Sequence, residues 1–305
     1  MTEVVRADNT TKRYGEVLGL NGFTAVFGQG ITALIGPNGS GKSTFFRLLT
    51  GQLRADSGQL SVLGLDPWTR RADSADVGYC PEHPAVYGWM TPLEFVTYLL
   101  RLDGFPRATA LERATEAVGT VGLSDVAHRR LRGFSKGMRQ RVKIAQALVH
   151  EPEVLILDEP LTGADPRQRV ELMAVFDEMA AAGATVLISS HVLSEVERMG
   201  SNVLVLVDGK LAAEGDFRQI RALMNDRPRR VRVSCDRPRT LAAALVQLPT
   251  VVELRVQDGG LEVETSDARA FAVAVPRLAR DAGARLTGVE GLDEGLESVF
   301  RYLVE

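Results

Sequence analysis

The chain has 305 residues, 45% of them hydrophobic and 25% charged, with a net charge of −3. That is globular composition for one large domain or two unequal ones at roughly 100–200 residues each, and so small a net charge gives no electrostatic basis for coating nucleic acid. The longest apolar runs, "VLIL" at 154–157 and "VLVLV" at 203–207, are strand-sized and far short of the ~18 residues of a membrane span.

In chain order, the start "MTEVVRADNTTKRYG" has no apolar core of the signal-peptide kind. The chain is therefore expected to be soluble and cytoplasmic. Strand-like runs then alternate with helical patterns. "ITALIG" (31–36) precedes the helix "KSTFFRLLTG", "EVLILDEP" (153–160) precedes "PRQRVELMAVFDEMAAAG", and "ATVLISS" (184–190) precedes "VLSEVERMG". Apolar strands alternating with helices predict a mainly parallel sheet covered on both faces. Between about 83 and 150 the strands stop, and three helical patterns form an insertion. The boundary expected for this α/β domain is 1–222.

Residues 223–305 change style. "DRPRRVRVSCDRPR" carries six arginines against two aspartates. Strands are predicted at 229–235, 251–257, 260–266 and 285–290, helices at 239–247 and 268–282, and a last helix at 295–304. This strand–helix–strand–strand–helix–strand order fits a small ferredoxin-like α+β unit, with "QDGG" as its hairpin turn. The arginines read either as a face for anionic lipid or nucleic acid or, more commonly for such runs, as a solvated linker and strand face. Cys80 and Cys235 lack metal-ligand spacing and read as buried apolar residues in a reducing compartment.

Three segments carry chemistry. "GPNGSGKST" (36–44) matches G-x-x-x-x-G-K-[ST] through Gly36, Gly41, Lys42 and Ser43. Its glycines let backbone N–H groups wrap one anion, with Pro37, Asn38, Gly39, Ser40 and Thr44 completing the cradle. The following helix adds its N-terminal dipole. Lys42 would reach the β- and γ-phosphates of ATP, and the Ser43 hydroxyl would ligate Mg²⁺. "VLILDEP" places Asp158 as a second Mg²⁺ ligand and Glu159 as a base for an attacking water. Taken alone, this pair reads equally as the cap of a turn. His191, ending "ISSH", is a candidate γ-phosphate contact by its place at a strand end.

Together these residues resemble the ATP-binding cassette (ABC) ATPases over residues 3–222. The resemblance implies a P-loop NTPase core with an antiparallel β subdomain and a helical insertion. Tyr14 in "KRYG" matches the family's adenine-stacking aromatic. "GYCPEH" (78–83) matches the loop joining core and insertion, "FSKGM" (134–138) the signature, "TGAD" (162–165) the interface loop through Asp165, and His191 the switch histidine. It implies two such domains, as a homodimer or with a second ABC ATPase, closing around two ATP molecules. Ser135 and Gly137 of each would bind the other's nucleotide, and hydrolysis would reopen the pair. It also implies a separate integral membrane permease, so that this chain would lie at the inner face of the cell membrane through that partner, and export as the direction. No nucleic-acid partner is expected.

The chain departs from the family pattern at several points. Glu82 stands where members usually carry glutamine; an acid there could hold Mg²⁺ or water, or serve coupling to the partner. Phe134, Lys136 and Met138 alter the signature, and Ala164 the interface loop. The "SKGMRQR" form and the closing "LESVFRYLV" (296–304) are similar to the branch whose permeases are separate chains. Tyr87, Trp89 and Met90 in "VYGWMT" read equally as core or as the surface that receives the permease. The alternative function is a non-transport ABC ATPase acting as a regulatory or ribosome- or nucleic-acid-associated switch.

Overall fold

The computed structural model describes residues 3–69, 76–83, 85–199, 202–216 and 228–292. The helix expected at 295–304 lies outside them. The chain divides into two compact units, Met1–Gly215 and Asp216–Glu305. The division comes seven residues before the expected 222/223 boundary, at the end of the first unit's last strand.

The first unit opens on β1 (Val5–Tyr14) and β2 (Val17–Phe27), which pair antiparallel. β4 (Ser57–Val62) lies on the other side of β1 and completes a three-stranded sheet, the antiparallel β subdomain. Alternate residues of these strands turn inward, among them Val5, Ala7, Leu20, Phe23 and Phe27. The polar run "NTTKRY" hides this strand in the sequence. Thr10 is fully buried there because its hydroxyl donates to the carbonyl of Gln59 at 2.9 Å.

β3 (Gly30–Ile35) leads into α1 (Lys42–Leu49), with β5 (Val77–Cys80) later in the chain. β6 (Val154–Asp158), β7 (Thr185–Ser189), β8 (Asn202–Val207) and β9 (Lys210–Gly215) complete a six-stranded sheet of order β5-β6-β7-β3-β8-β9. Its strands are parallel except for the β8–β9 pair. β6 and β7 are buried along their whole length, as strands covered on both faces must be. α1 is held between the two sheets by aromatic packing. The Phe45 ring centroid lies 4.8 Å from that of Phe23 and 5.6 Å from that of Phe27.

The insertion holds α2 (Pro92–Leu102), α3 (Arg107–Thr120) and α4 (Lys136–Leu148). α2 starts in a capping box. Thr91 accepts from the Glu94 N–H, and the Glu94 carboxylate accepts from the Thr91 N–H. α5 (Pro166–Ala181) follows β6, and α6 (Leu193–Arg198) follows β7.

The second unit runs β10 (Arg229–Cys235), α7 (Pro238–Leu245), β11 (Val251–Gln257), β12 (Gly260–Thr265), α8 (Ala268–Asp281) and β13 (Leu286–Gly291). Its antiparallel sheet has the order β11-β12-β10-β13, the ferredoxin-like arrangement. Leu241, Leu245, Phe271 and Val275 of the helices pack on Val231, Val233, Leu261 and Val263. Two arginines of the arginine-rich stretch face glutamates across the sheet. Arg230 pairs with Glu262 and Glu264, and Arg232 stands in register with Glu262 and Glu290.

Phe23 is fully buried in the core cluster that holds residues of both sheets and packs on Phe45 of α1. Phe23→Ala is expected to lower stability by about 3–5 kcal/mol, as truncation of a fully buried aromatic does. Urea denaturation followed by circular dichroism measures this. A loss below about 1 kcal/mol would mean that the two sheets are held together by other contacts.

Candidate functional site

Strand order puts the chemistry at one edge. β7 lies between β3 and β6, with Leu34 in register with Ser189 and Ser189 in register with Asp158. The segments that follow β3, β6 and β7 therefore leave the sheet side by side at its C-terminal edge, where α/β folds bind ligands. These segments are the phosphate loop, Asp158–Glu159 and Ser190–His191.

The glycines of the loop are needed sterically. A Cβ on Gly36 would lie 2.3 Å from the carbonyl oxygen of Leu206, and one on Gly41 would lie 2.3 Å from that of Gly19. Gly41 is also at φ 109°, in the left-handed region. Lys42 is buried and arches back over the loop, donating to the carbonyls of Gly36 at 2.8 Å and Pro37 at 3.1 Å. Burial lowers its pKa, while Glu159, Asp158 and Glu82 pull the other way. An ammonium held by neutral carbonyls in a loop of backbone donors fits an anion of phosphate type. Tyr14 stands at the side of this loop, half-exposed, its hydroxyl 3.5 Å from that of Thr44. A Cβ at Gly19 would lie 2.8 Å from the Tyr14 ring, so glycine there makes room for it.

The carboxylates are set by a residue that sequence reasoning passed over. Ser189 Oγ donates to Asp158 Oδ1 at 2.6 Å and accepts from the Glu159 N–H at 2.9 Å. Glu159 sits at φ 51°, unusual for a residue with a side chain. Its Oε2 lies 2.6 Å from His191 Nδ1. Burial raises the Glu159 pKa, and the His191 hydrogen bond opposes that shift. Such a carboxylate suits a general base, and His191, mostly exposed, presents its ring at the same edge. Oxygens such as those of Ser43 and Asp158 are donors of the kind that suits Mg²⁺. Among the described residues no group of three or more His, Cys, Asp or Glu could hold a metal alone.

The start of α4 and the segment before Asp165 come together, Gly137 against Gly163. Ser135 caps α4, accepting from the Met138 N–H at 3.2 Å. Gly137 is buried against the interface loop, and a Cβ there would lie 2.3 Å from the carbonyl oxygen of Gly163. Asp165 caps α5 through the Gln168 N–H at 2.9 Å. Glu82 is exposed and lies 3.8 Å from the imidazole of His83. Just before it, Cys80 is fully buried, its thiol pushed up to about 12 by burial, and it accepts from Gln140 of α4 at 3.4 Å. Met90 belongs to the core, whereas Tyr87 and Trp89 are exposed and stacked, with ring centroids 5.9 Å apart.

Comparison with known proteins fits this geometry. The ABC transporter family model matches residues 23–162. The daunorubicin resistance ATP-binding protein DrrA2 of Streptomyces coeruleorubidus is 33% identical over 98% of this chain and 94% of its own length. The chain belongs to the ABC transporter ATP-binding proteins. An uncharacterised ABC transporter ATP-binding protein of Bacillus subtilis, YxlF, is 39% identical, over 62% of each protein. A solved ATP-binding subunit of an ABC transporter superposes with a TM-score of 0.65 at 30% identity, covering 72% of this chain and 93% of the other. Thus the cassette fold and the two-sheet core are those of the family.

The raised pKa of Glu159 has a consequence for an activity that uses it as base. The base must be ionised, so rate is lost as pH falls through its pKa. Because burial raises that pKa, the acid limb of kcat/KM is expected above the ordinary value of 4.5. A pH profile of ATP hydrolysis with that limb at or below 4.5 would contradict the role.

Proposed function

We propose that this chain hydrolyses ATP to ADP and phosphate and drives a separate transmembrane permease in the export direction. The observation that carries the reading is the 2.6 Å contact between Glu159 and His191, beside the phosphate loop and Lys42. In the proposed mechanism the loop amides and Lys42 hold the triphosphate, and Tyr14 carries the adenine. Ser43 and Asp158 would hold Mg²⁺, whose charge would neutralise that of the phosphates. Glu159 takes the proton of the attacking water, and His191 orients Glu159 and reaches the γ-phosphate.

The site is completed by a second cassette. The capped N-terminus of α4, with Ser135 and the Gly137 N–H, suits a phosphate by its unpaired amides and dipole. Lys136 adds a cation there. A lysine at a helix N-terminus costs about 0.3–1 kcal/mol against the dipole, which a facing triphosphate offsets. Asp165, exposed at the start of α5, would meet the partner cassette. Coupling to a permease is supported by the exposed Tyr87–Trp89 pair, aromatic residues of the kind found at interfaces. No helix among the described residues is long and apolar enough to cross a membrane. Export is supported by the drug-resistance name of the full-length relative.

Two outcomes are expected. Glu159→Gln keeps ATP binding, traps an ATP-bound dimer on gel filtration and cuts turnover by about 100-fold or more, the scale of general-base catalysis. Unchanged turnover would remove Glu159 from the reaction. Ser135→Arg blocks ATP-driven dimerisation and leaves the affinity of the monomer for a fluorescent ATP analogue unchanged. If dimers still form, Ser135 is no more than a helix cap.

A further inference from the structure

Two segments of the candidate site are joined by an ion pair, buried at its glutamate end, that the mechanism above does not use. Arg169, on the first turns of α5, donates through Nε to the carbonyl of Ala164 at 3.0 Å. Its Nη1 lies 2.6 Å from Oε1 of Glu195 on α6. The other carboxylate oxygen of Glu195 accepts from Ser190 Oγ at 3.1 Å, and that hydroxyl in turn accepts from the Val192 N–H at 3.0 Å. Ala164 directly precedes Asp165, and Ser190 directly precedes His191. Glu195 is only 6% exposed. A carboxylate so placed needs its partners, because an unpaired buried charge is strongly destabilising.

The link closes a ring. From Glu159 the chain runs through the loop to Ala164, across Arg169 and Glu195 to Ser190 and His191, and back to Glu159 through the 2.6 Å His191 contact. The same loop carries Gly163, on which Gly137 of α4 packs. A displacement of the loop therefore moves Arg169, and through Glu195 it moves the turn that aims His191.

We propose that Arg169 and Glu195 are positioning residues that fix His191 against Glu159 and transmit the position of the 159–165 loop to it. The inference rests on the roles given above to Glu159 and His191. Neither Arg169 nor Glu195 touches nucleotide in this proposal; they act only through the backbone on either side.

The test uses the full chain with four variants: Arg169→Met, Arg169→Lys, Glu195→Gln and the double Arg169→Met/Glu195→Gln. The double variant strands no buried charge, so it separates loss of the link from loss of folding. Expected is a fall in kcat of about 10–100-fold in Arg169→Met, Glu195→Gln and the double variant, the scale of a small misplacement of catalytic groups. KM for ATP and the thermal midpoint of the double variant stay near wild type. Arg169→Lys, which keeps the ion pair, recovers part of the rate. An unchanged kcat in the folded double variant overturns the proposal, as does a loss of KM and kcat together. A second readout does not depend on hydrolysis. The imidazole resonances of His191, in NMR spectra of the nucleotide-free chain, are expected to shift in the double variant; unshifted resonances also overturn it. A wild-type chain that hydrolyses no ATP would instead overturn the reading of Glu159, and the imidazole spectra would still decide whether the link holds His191.

Discussion

The hydroxyl of Ser189 stands between two neighbouring strand ends, donating to Asp158 and accepting from the Glu159 N–H. Parallel pairing puts Ser189 directly beside Asp158, so the bond needs no adjustment of either strand. Its consequence lies one residue further on. Glu159 turns into the left-handed region at φ 51°, a conformation that costs of order 1–3 kcal/mol for a residue with a side chain. The hydrogen bond on its own N–H helps to offset that cost and makes the turn sharp. From that turn the Glu159 carboxylate meets His191 at the end of the next strand.

The same constraint explains which parts of the site could be read from the sequence. The phosphate loop is local: nine consecutive residues carry its glycines, its lysine and its hydroxyls, so spacing alone identifies it. Asp158, Glu159 and His191 are legible because each ends an apolar run. Ser189, Arg169 and Glu195 gave no such signal. Ser189 sits 31 residues from Asp158, and Arg169 sits 26 residues from Glu195. They meet only because β6 and β7 are adjacent, an order that one sequence does not print. Their residue types are also ordinary for a strand end and for exposed helix turns, where a serine, an arginine or a glutamate needs no explanation.

The fold shows the same division. The second unit follows its sequence pattern closely, with β10, β11, β12 and β13 within a residue or so of their expected ends, and the turn between β11 and β12 is the one that "QDGG" marks. Of the three arginines of β10, Arg230 and Arg232 stand opposite glutamates of β12 and β13, the pairing of a solvated strand face. The first sheet was the harder one. β1 carries "NTTKRY" with a buried threonine and several register shifts against β2, so neither period 2 nor hydrophobicity marks it. The sheet's inward face is recognisable only once α1 is packed on β2 through Phe45.

Glu82 illustrates how these levels meet in one charge. Lys42 is buried, and burial favours its neutral form. Three carboxylates oppose that: Glu159 and Asp158 from the end of β6, and Glu82 from the loop after β5. Glutamine at position 82 would leave two. The acid therefore helps keep the ammonium charged before any anion arrives, and it becomes a repulsive neighbour once a triphosphate occupies the loop. Its side chain is exposed, so it can swing away when that happens, as a buried carboxylate could not. Its loop begins at Cys80, which accepts a hydrogen bond from Gln140 of α4, the helix whose N-terminus carries Ser135. The Glu82 loop and the helix proposed to face the second nucleotide are thus joined by one buried hydrogen bond.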